Sequence, residues 1–340
     1  MTSARSTKID LNATPFYHCI SRCVRRTFLC GVDKETGVDY SHRKQLIAKR
    51  MMQLADIFAI QVCSYAVMSN HYHMVVFINE KQANSWSDND VMSLWAKLHP
   101  CDASKYAHLE ITSDLVAEKI CEWRTRLADI SWFMKCLNET IAKLCNKEDD
   151  CKGHFWEARF KSQALLDEAA VIAAMAYVDL NPIRAKEALT PEASEFTSIF
   201  ERIKALKNSN KNNQKDKFKI NDSISAQPHN LMPFFETKPN EKEQFPSINF
   251  KLSDYIELVD TTGRIIRDDK RGAIPEMLPP ILQRLNLSPR GWMSLVQNIE
   301  SFFYTGIGHV TALCKFRSQY REHNPRGLNA AKQCYIPSVA

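Results

Sequence analysis

No run in this 340-residue chain approaches the ~20 consecutive apolar residues that a membrane-spanning helix requires, so a membrane is not among its expected partners. Its opening, "MTSARSTKIDLNATPFYH", has no apolar core of a secretory signal, which leaves the cytoplasm as the expected compartment. Glycine is scarce. The nine glycines form neither GxGxxG nor GxxxxGK, which removes the usual phosphate-cradling loops. Cysteine is plentiful at 11, yet no CxxC pair occurs. Cys19/Cys23 and Cys145/Cys151 lack zinc-site spacing, so the cysteines are expected as reduced, mostly buried thiols that hold no metal.

What is present is a globular composition, 44% hydrophobic and 25% charged, with a formal net charge of +6. That balance is compatible with a nucleic-acid partner without requiring one, so the placement of the cations matters more than their sum. They gather at "SRCVRR" (Arg22, Arg25, Arg26), "HRKQLIAKR" and "ARFKS" (Arg159, Lys161), and again beyond residue 200.

Residues 16–30, "FYHCISRCVRRTFLC", read as a strand or hairpin. A helix follows in "YSHRKQLIAKRMMQLADIFAI", where Leu46, Ile47, Met51, Leu54, Ile57 and Phe58 recur at helical spacing behind Ser41 as N-cap. "QVCSYAV" and "HYHMVVFI" are two strands joined by the turn Met68-Ser69-Asn70. Residues 79–115 look polar and irregular. A second helix carries the stripe Ile130, Phe133, Met134, Leu137, Ile141, Leu144. "GHFWEARFKSQALL" reads as a strand with a charged flank, and "DEAAVIAAMAYVDLN" as a short helix stopped by Pro182, which disfavours the helical conformation at Asn181. From about 201 the chain turns rich in Lys, Asn and Gln, the composition of a linker. Residues 250–340 regain helical periodicity. Strand, helix, hairpin is the opening of an α+β fold, an antiparallel sheet flanked by helices with a smaller helical C-terminal region.

Three elements carry chemistry. In "SYAVMSNHYHMVVFI", His71 and His73 share one face of a strand, about 7 Å apart at its ordinary rise, and two converging imidazoles can share a divalent cation. In "MAYVDLNPIRA", Tyr177 and Asn181 are four apart on a helix. A phenol with a reference pKa of ~10 becomes a nucleophile only with help, and an amide oxygen can complete a metal site. In "GHFWEARFKSQAL", Arg159 and Lys161 stand two apart beside Phe155, Trp156 and Phe160, cations for phosphates among aromatics for bases. Each has a plainer reading: hydrogen-bonded histidines at a sheet end, an amphipathic tyrosine with a helix-ending asparagine, and a solvated strand edge.

Taken together, "FYHCISRCVRRTFL", "VMSNHYHMVV", "GHFWEARFKS" and "YVDLNPIRA" resemble the HUH single-tyrosine transposases, and most closely the REP-associated tyrosine transposases, across about residues 14–190. "LSDYIELVDTTGRIIRDDKRGAIP" looks like the C-terminal extension of long members. The resemblance implies a catalytic domain over 1–200 with a polar insertion at about 79–128, a polar basic linker over 201–249 and a helical extension over 250–340. It implies His71, His73 and Asn181 as ligands of Mg²⁺ or Mn²⁺, and Tyr177 as the nucleophile. The implied reaction cleaves and rejoins single-stranded DNA hairpins through a 5′-phosphotyrosine, needing no ATP. Arg22, Arg25, Arg26, Arg159 and Lys161 are the expected backbone contacts. Because histidines must be neutral to bind metal, activity is expected to fall below pH ~6.5. The other readings are a domesticated hairpin-binding protein without turnover and a metal-dependent hydrolase of another substrate. Between monomer and homodimer the sequence does not choose.

Overall fold

The computed structural model describes residues 9–24, 29–33, 37–106, 114–212, 223–237, 245–267, 279–318 and 326–336. Strand β1 (Phe16–Arg22) leads to α1 (His42–Ala55), then β2 (Ile60–Val67) and β3 (His71–Ile78). Helices α2 (Glu80–Ser85), α3 (Asp88–Leu98), α4 (Pro100–Ser104), α5 (Asp114–Leu127) and α6 (Ile130–Glu148) precede β4 (Lys161–Leu165). Next come α7 (Glu168–Asp179), α8 (Asn181–Arg184) and α9 (Ser198–Asn212). The C-terminal part holds α10 (Leu252–Ile266), α11 (Pro279–Arg284), α12 (Pro289–Phe302), β5 (Gly306–Ile307), α13 (Val310–Ser318) and α14 (Leu328–Cys334).

The five strands form one sheet in the order β2-β3-β1-β4-β5, antiparallel except for the β4–β5 pair at its edge. Successive side chains of a strand face opposite ways, and both faces of this sheet are covered. Tyr17, Cys19, Tyr72, Met74 and Val76 share a core with Met51 of α1, Trp95 of α3, Trp123 of α5 and Phe133 of α6. The other face is covered by α7, whose run Ala169–Val178 is buried all round. A helix apolar on every side is a core helix, and its alanines let it lie close to the sheet. The same core takes in Tyr255 of α10, Trp292 of α12 and Ala331 of α14. The architecture is therefore the α+β arrangement expected, with a helical C-terminal part.

Several local expectations change. Residues 79–115 are largely helical rather than irregular: Trp95 and Val91 anchor α3, and Ser87 with Asp90 closes a capping box at its start. Ser41 precedes α1 but makes no side-chain cap. At the end of α6, Cys145 turns inward while Leu144 is exposed. Pro182 does not bar helix at Asn181. It falls in the first turn of α8, where a missing N–H costs nothing, and α7 ends earlier at Asp179. The stretch read as linker is partly structured too. Helix α9 runs to Asn212, and Met232, Phe234 and Ile248 are buried, with the Met232 amide bonded to the Val62 carbonyl. No cysteine forms a disulfide among the described residues, and most are buried.

Candidate active site

Sheet register sets the site. Ile20 pairs with His73 and Arg22 with His71 across β1–β3, while His18 pairs with Gln163 and Ile20 with Lys161 across β1–β4. Period-two alternation therefore puts His18, Arg22, His71, His73, Lys161 and Gln163 on one face, the face that α7 covers. The imidazoles of His71 and His73 converge as expected, with ring centroids 4.7 Å apart. Tyr177, near the end of α7, places its ring edge-on to His73 at 5.6 Å and to His18 at 5.9 Å. The structure thus brings the histidine pair and Tyr177 together from segments a hundred residues apart.

Three partners of this group have no counterpart among the sequence candidates. The Tyr177 phenol donates to Glu300 Oε1, delivered by α12. Arg184, one turn beyond Asn181, lays its guanidinium 4.4 Å over the Tyr177 ring. His18 stacks on His73 and bonds to it. His18 and Arg184 lay within the quoted motifs at strand and helix periods, so a signal for them existed. Glu300 sits in "VQNIESFFY", where nothing in the pattern marks it.

Burial of the site shows in its proton affinities. Tyr177 is 5% exposed, and burial raises its phenol above the ordinary value. The Glu300 carboxylate raises it further, against the opposing pull of Arg184. Burial drives the His71 imidazole down to about 4, helped by Arg22, and holds His73 well below its ordinary value. Both rings are neutral near pH 7, the state in which imidazole ligates a metal.

The donor set suits a divalent ion. His73 Nε2 is buried without a hydrogen-bond partner, and Glu300 Oε1 stands 3.8 Å from it. His71 Nδ1 is taken by Asn70 Oδ1, which leaves its Nε2 for a ligand. Asn181 is buried with an unpartnered amide nitrogen, and no hydrogen bond or ring contact joins it to either histidine. Among the described residues no group of three or more His, Cys, Asp or Glu side chains is assembled for a metal. Two imidazoles and open positions fit an ion that keeps water and takes phosphate oxygens.

Of the proposed DNA contacts, Arg22 and Lys161 are exposed on the histidine face. Arg159 precedes β4 and does not share a strand face with Lys161. It lines a groove of about 760 Å³ with Lys135, Asn138, His154 and Trp156. Phe155 and Phe160 are buried, core residues rather than a stacking platform. Arg25 and Arg26 lie outside the described residues.

No family model matches the chain, and no curated protein matches it. A solved structure of a REP-associated tyrosine transposase bound to a REP hairpin matches this chain at 11% identity and a TM-score of 0.37, over 60% of this chain and 86% of that one. No helix among the described residues is long and apolar enough to cross a membrane.

Proposed function

We propose that the chain is a metal-assisted transposase or endonuclease of single-stranded DNA hairpins, with Tyr177 as nucleophile. One observation carries this reading: buried Tyr177 stands edge-on to His73, itself in ring contact with His71, and the Tyr177 hydroxyl is hydrogen-bonded to a carboxylate. The Tyr177 Oη attacks phosphorus and its proton passes to Glu300 Oε1, an acceptor already in hydrogen-bond contact. The P–O3′ bond breaks, a proton from solvent completes the 3′-hydroxyl, and the 5′-phosphate stays on Tyr177. The adduct keeps the energy of the broken phosphodiester, so resealing by the reverse path needs no ATP.

His71 and His73 would hold a Mg²⁺ or Mn²⁺ ion, with Asn181 as the candidate third ligand. When bound, that ion supplies Lewis-acid polarisation of the phosphate oxygens. Arg184 over the Tyr177 ring offsets the negative charge that Glu300 brings to the phenol. Arg22 and Lys161, with Arg159 in the neighbouring groove, hold the DNA backbone. A catalytic unit over 1–200 then depends on the 250–340 extension, which furnishes Glu300.

The second reading is a hairpin-binding protein without turnover. It is favoured by the burial of Tyr177, whose hydroxyl is already engaged.

A denaturing-gel adduct assay decides between them. The full chain is incubated with labelled hairpin oligonucleotides and Mn²⁺, beside Tyr177→Phe and His71→Ala. A metal-dependent covalent band absent from both variants supports the transposase. Hairpin binding with no band overturns it in favour of the second reading.

A further inference from the structure

We infer that His18 and Gln163 are positioning residues that fix the proton of His73 on Nδ1, so that its Nε2 presents a bare lone pair to a cation. The inference deepens the metal-assisted reading and rests on it. The order of donors begins at the end of α12, where the Phe303 carbonyl can only accept. Gln163 Nε2 donates to it at 2.8 Å. This bond fixes the amide, because the flipped orientation would set two oxygens against each other at that distance.

Gln163 Oε1 then faces His18 Nδ1 at 2.9 Å. An amide oxygen only accepts, so His18 carries its hydrogen on Nδ1 and offers Nε2 as an acceptor. That Nε2 lies 3.1 Å from His73 Nδ1, which must be the donor. His18 and His73 are both fully buried, and a second ring proton on either would be a buried cation. One proton per ring is therefore fully assigned, and none is left for His73 Nε2.

That same atom is among the buried side-chain atoms that have no hydrogen-bond partner. Its near charged neighbour is the Glu300 carboxylate at 3.8 Å, also an acceptor. Two acceptors facing each other with no hydrogen between them are reconciled by a cation. Buried unsatisfied groups are rare in folded proteins and call for such an explanation. Outer partners that set a ligand's tautomer are the usual support of metal-binding histidines. What is unusual here is the length of the support: His73, His18, Gln163 and a helix-ending carbonyl, drawn from β3, β1, β4 and the turn after α12.

The test has an arm that needs no metal. Long-range ¹H–¹⁵N spectra of the metal-free, ¹⁵N-histidine-labelled full chain report which ring nitrogens are protonated. Expected are His18 and His73 both protonated on Nδ1 and bare on Nε2, in contrast to the Nε2–H form that predominates for histidine in water. A proton on His73 Nε2 overturns the inference. In Gln163→Leu, the His18 and His73 signals are expected to move toward mixed tautomers while the circular dichroism is kept. Calorimetric titration with Mn²⁺ is expected to show affinity falling roughly 10–100-fold in that variant. Wild-type affinity in Gln163→Leu would overturn the positioning role while leaving the metal reading intact. A wild-type chain that binds no Mn²⁺ would overturn the metal reading and, with it, the purpose assigned to the bare nitrogen, whatever the tautomer found.

Discussion

The hydroxyl of Tyr177 is hydrogen-bonded to a carboxylate oxygen of Glu300, a residue 123 positions further along the chain. The pairing gives the phenol a place to send its proton, and it also raises the cost of forming phenolate while the carboxylate stays charged. Glu300→Gln is therefore expected to slow single-turnover cleavage at neutral pH by ~10²–10⁴-fold, the usual reach of a general base. The deficit should narrow as pH rises and hydroxide does the work of the lost carboxylate. A deficit that stays constant from pH 7 to 10 would rule out proton acceptance by Glu300.

A second prediction concerns acid. The sequence alone ties loss of function to the ordinary histidine value of ~6.5. Burial moves His71 down to about 4. A lowered folded value means that the fold binds fewer protons than the unfolded chain between those limits. His71 therefore contributes stability that is complete above pH 6.5 and is lost as pH falls through about 4. Mn²⁺ binding at pH 5.5 is expected to stay within a few-fold of that at pH 7.5, read by calorimetry. A collapse of affinity already at pH 6 would contradict the buried, neutral pair.

Asp179 answers to pH in the opposite sense. Its carboxylate accepts hydrogen bonds from Ser198 Oγ, the Ile199 amide and the Tyr255 hydroxyl, yet full burial still lifts its pKa to about 6. A raised folded value makes its contribution complete below the unfolded ~3.9 and lost as pH climbs through about 6. The loss is about 2 kcal/mol between pH 4 and 7, most of what roughly two pKa units represent. Urea unfolding of the wild type minus that of Asp179→Asn, at pH 4 and at pH 7, measures this difference. Equal differences at both values would remove Asp179 as its source.

Gly291 tests how Glu300 is held in place. A Cβ built there would lie 1.9 Å from the carbonyl oxygen of Cys334, where α12 crosses α14. Gly291→Ala must push the two helices apart, at about 1–3 kcal/mol for overpacking. A lowered unfolding midpoint is expected, together with slower cleavage as the α12 end carrying Glu300 shifts. A midpoint unchanged from wild type would mean that the crossing is looser than drawn.

Arg22, exposed and in register with His71, should act on DNA through charge alone. Arg22→Ala is expected to weaken binding to every hairpin alike and to flatten the salt slope by ~1. Weakening confined to one hairpin sequence would point to base contact instead.

How much of this was legible beforehand depends on the range of the interactions. Strands β2 and β3 fall where alternation and the Met68-Ser69-Asn70 turn put them, because both signals are local. The convergence of His71 and His73 follows from strand period alone. Helices α3 and α5 have wide polar faces that mask a narrow buried stripe, Val91 and Trp95 in the first and Val116, Ile120, Trp123 and Leu127 in the second. The meaning of Pro182 turned on a matter of one residue, whether it stood inside a helix or in the first turn of the next. Glu300 was beyond reach of any local pattern. Its role exists only once the α12 helix has packed on α7, a contact that no spacing encodes.

The pairing of β5 with β4 has a consequence for how the protein comes into being. Chains emerge from the ribosome N-terminus first, so Tyr177 and both histidines are synthesised well over a hundred residues before the turn at Phe303. Until that turn exists, Gln163 has no carbonyl to orient it and the tyrosine has no carboxylate beside it. A chain that stops short of that turn has Tyr177 and the histidines but lacks the groups that order them. On the proposed reading, the chemistry is withheld until α12 and the turn after it have been made, so a later segment arms an earlier one.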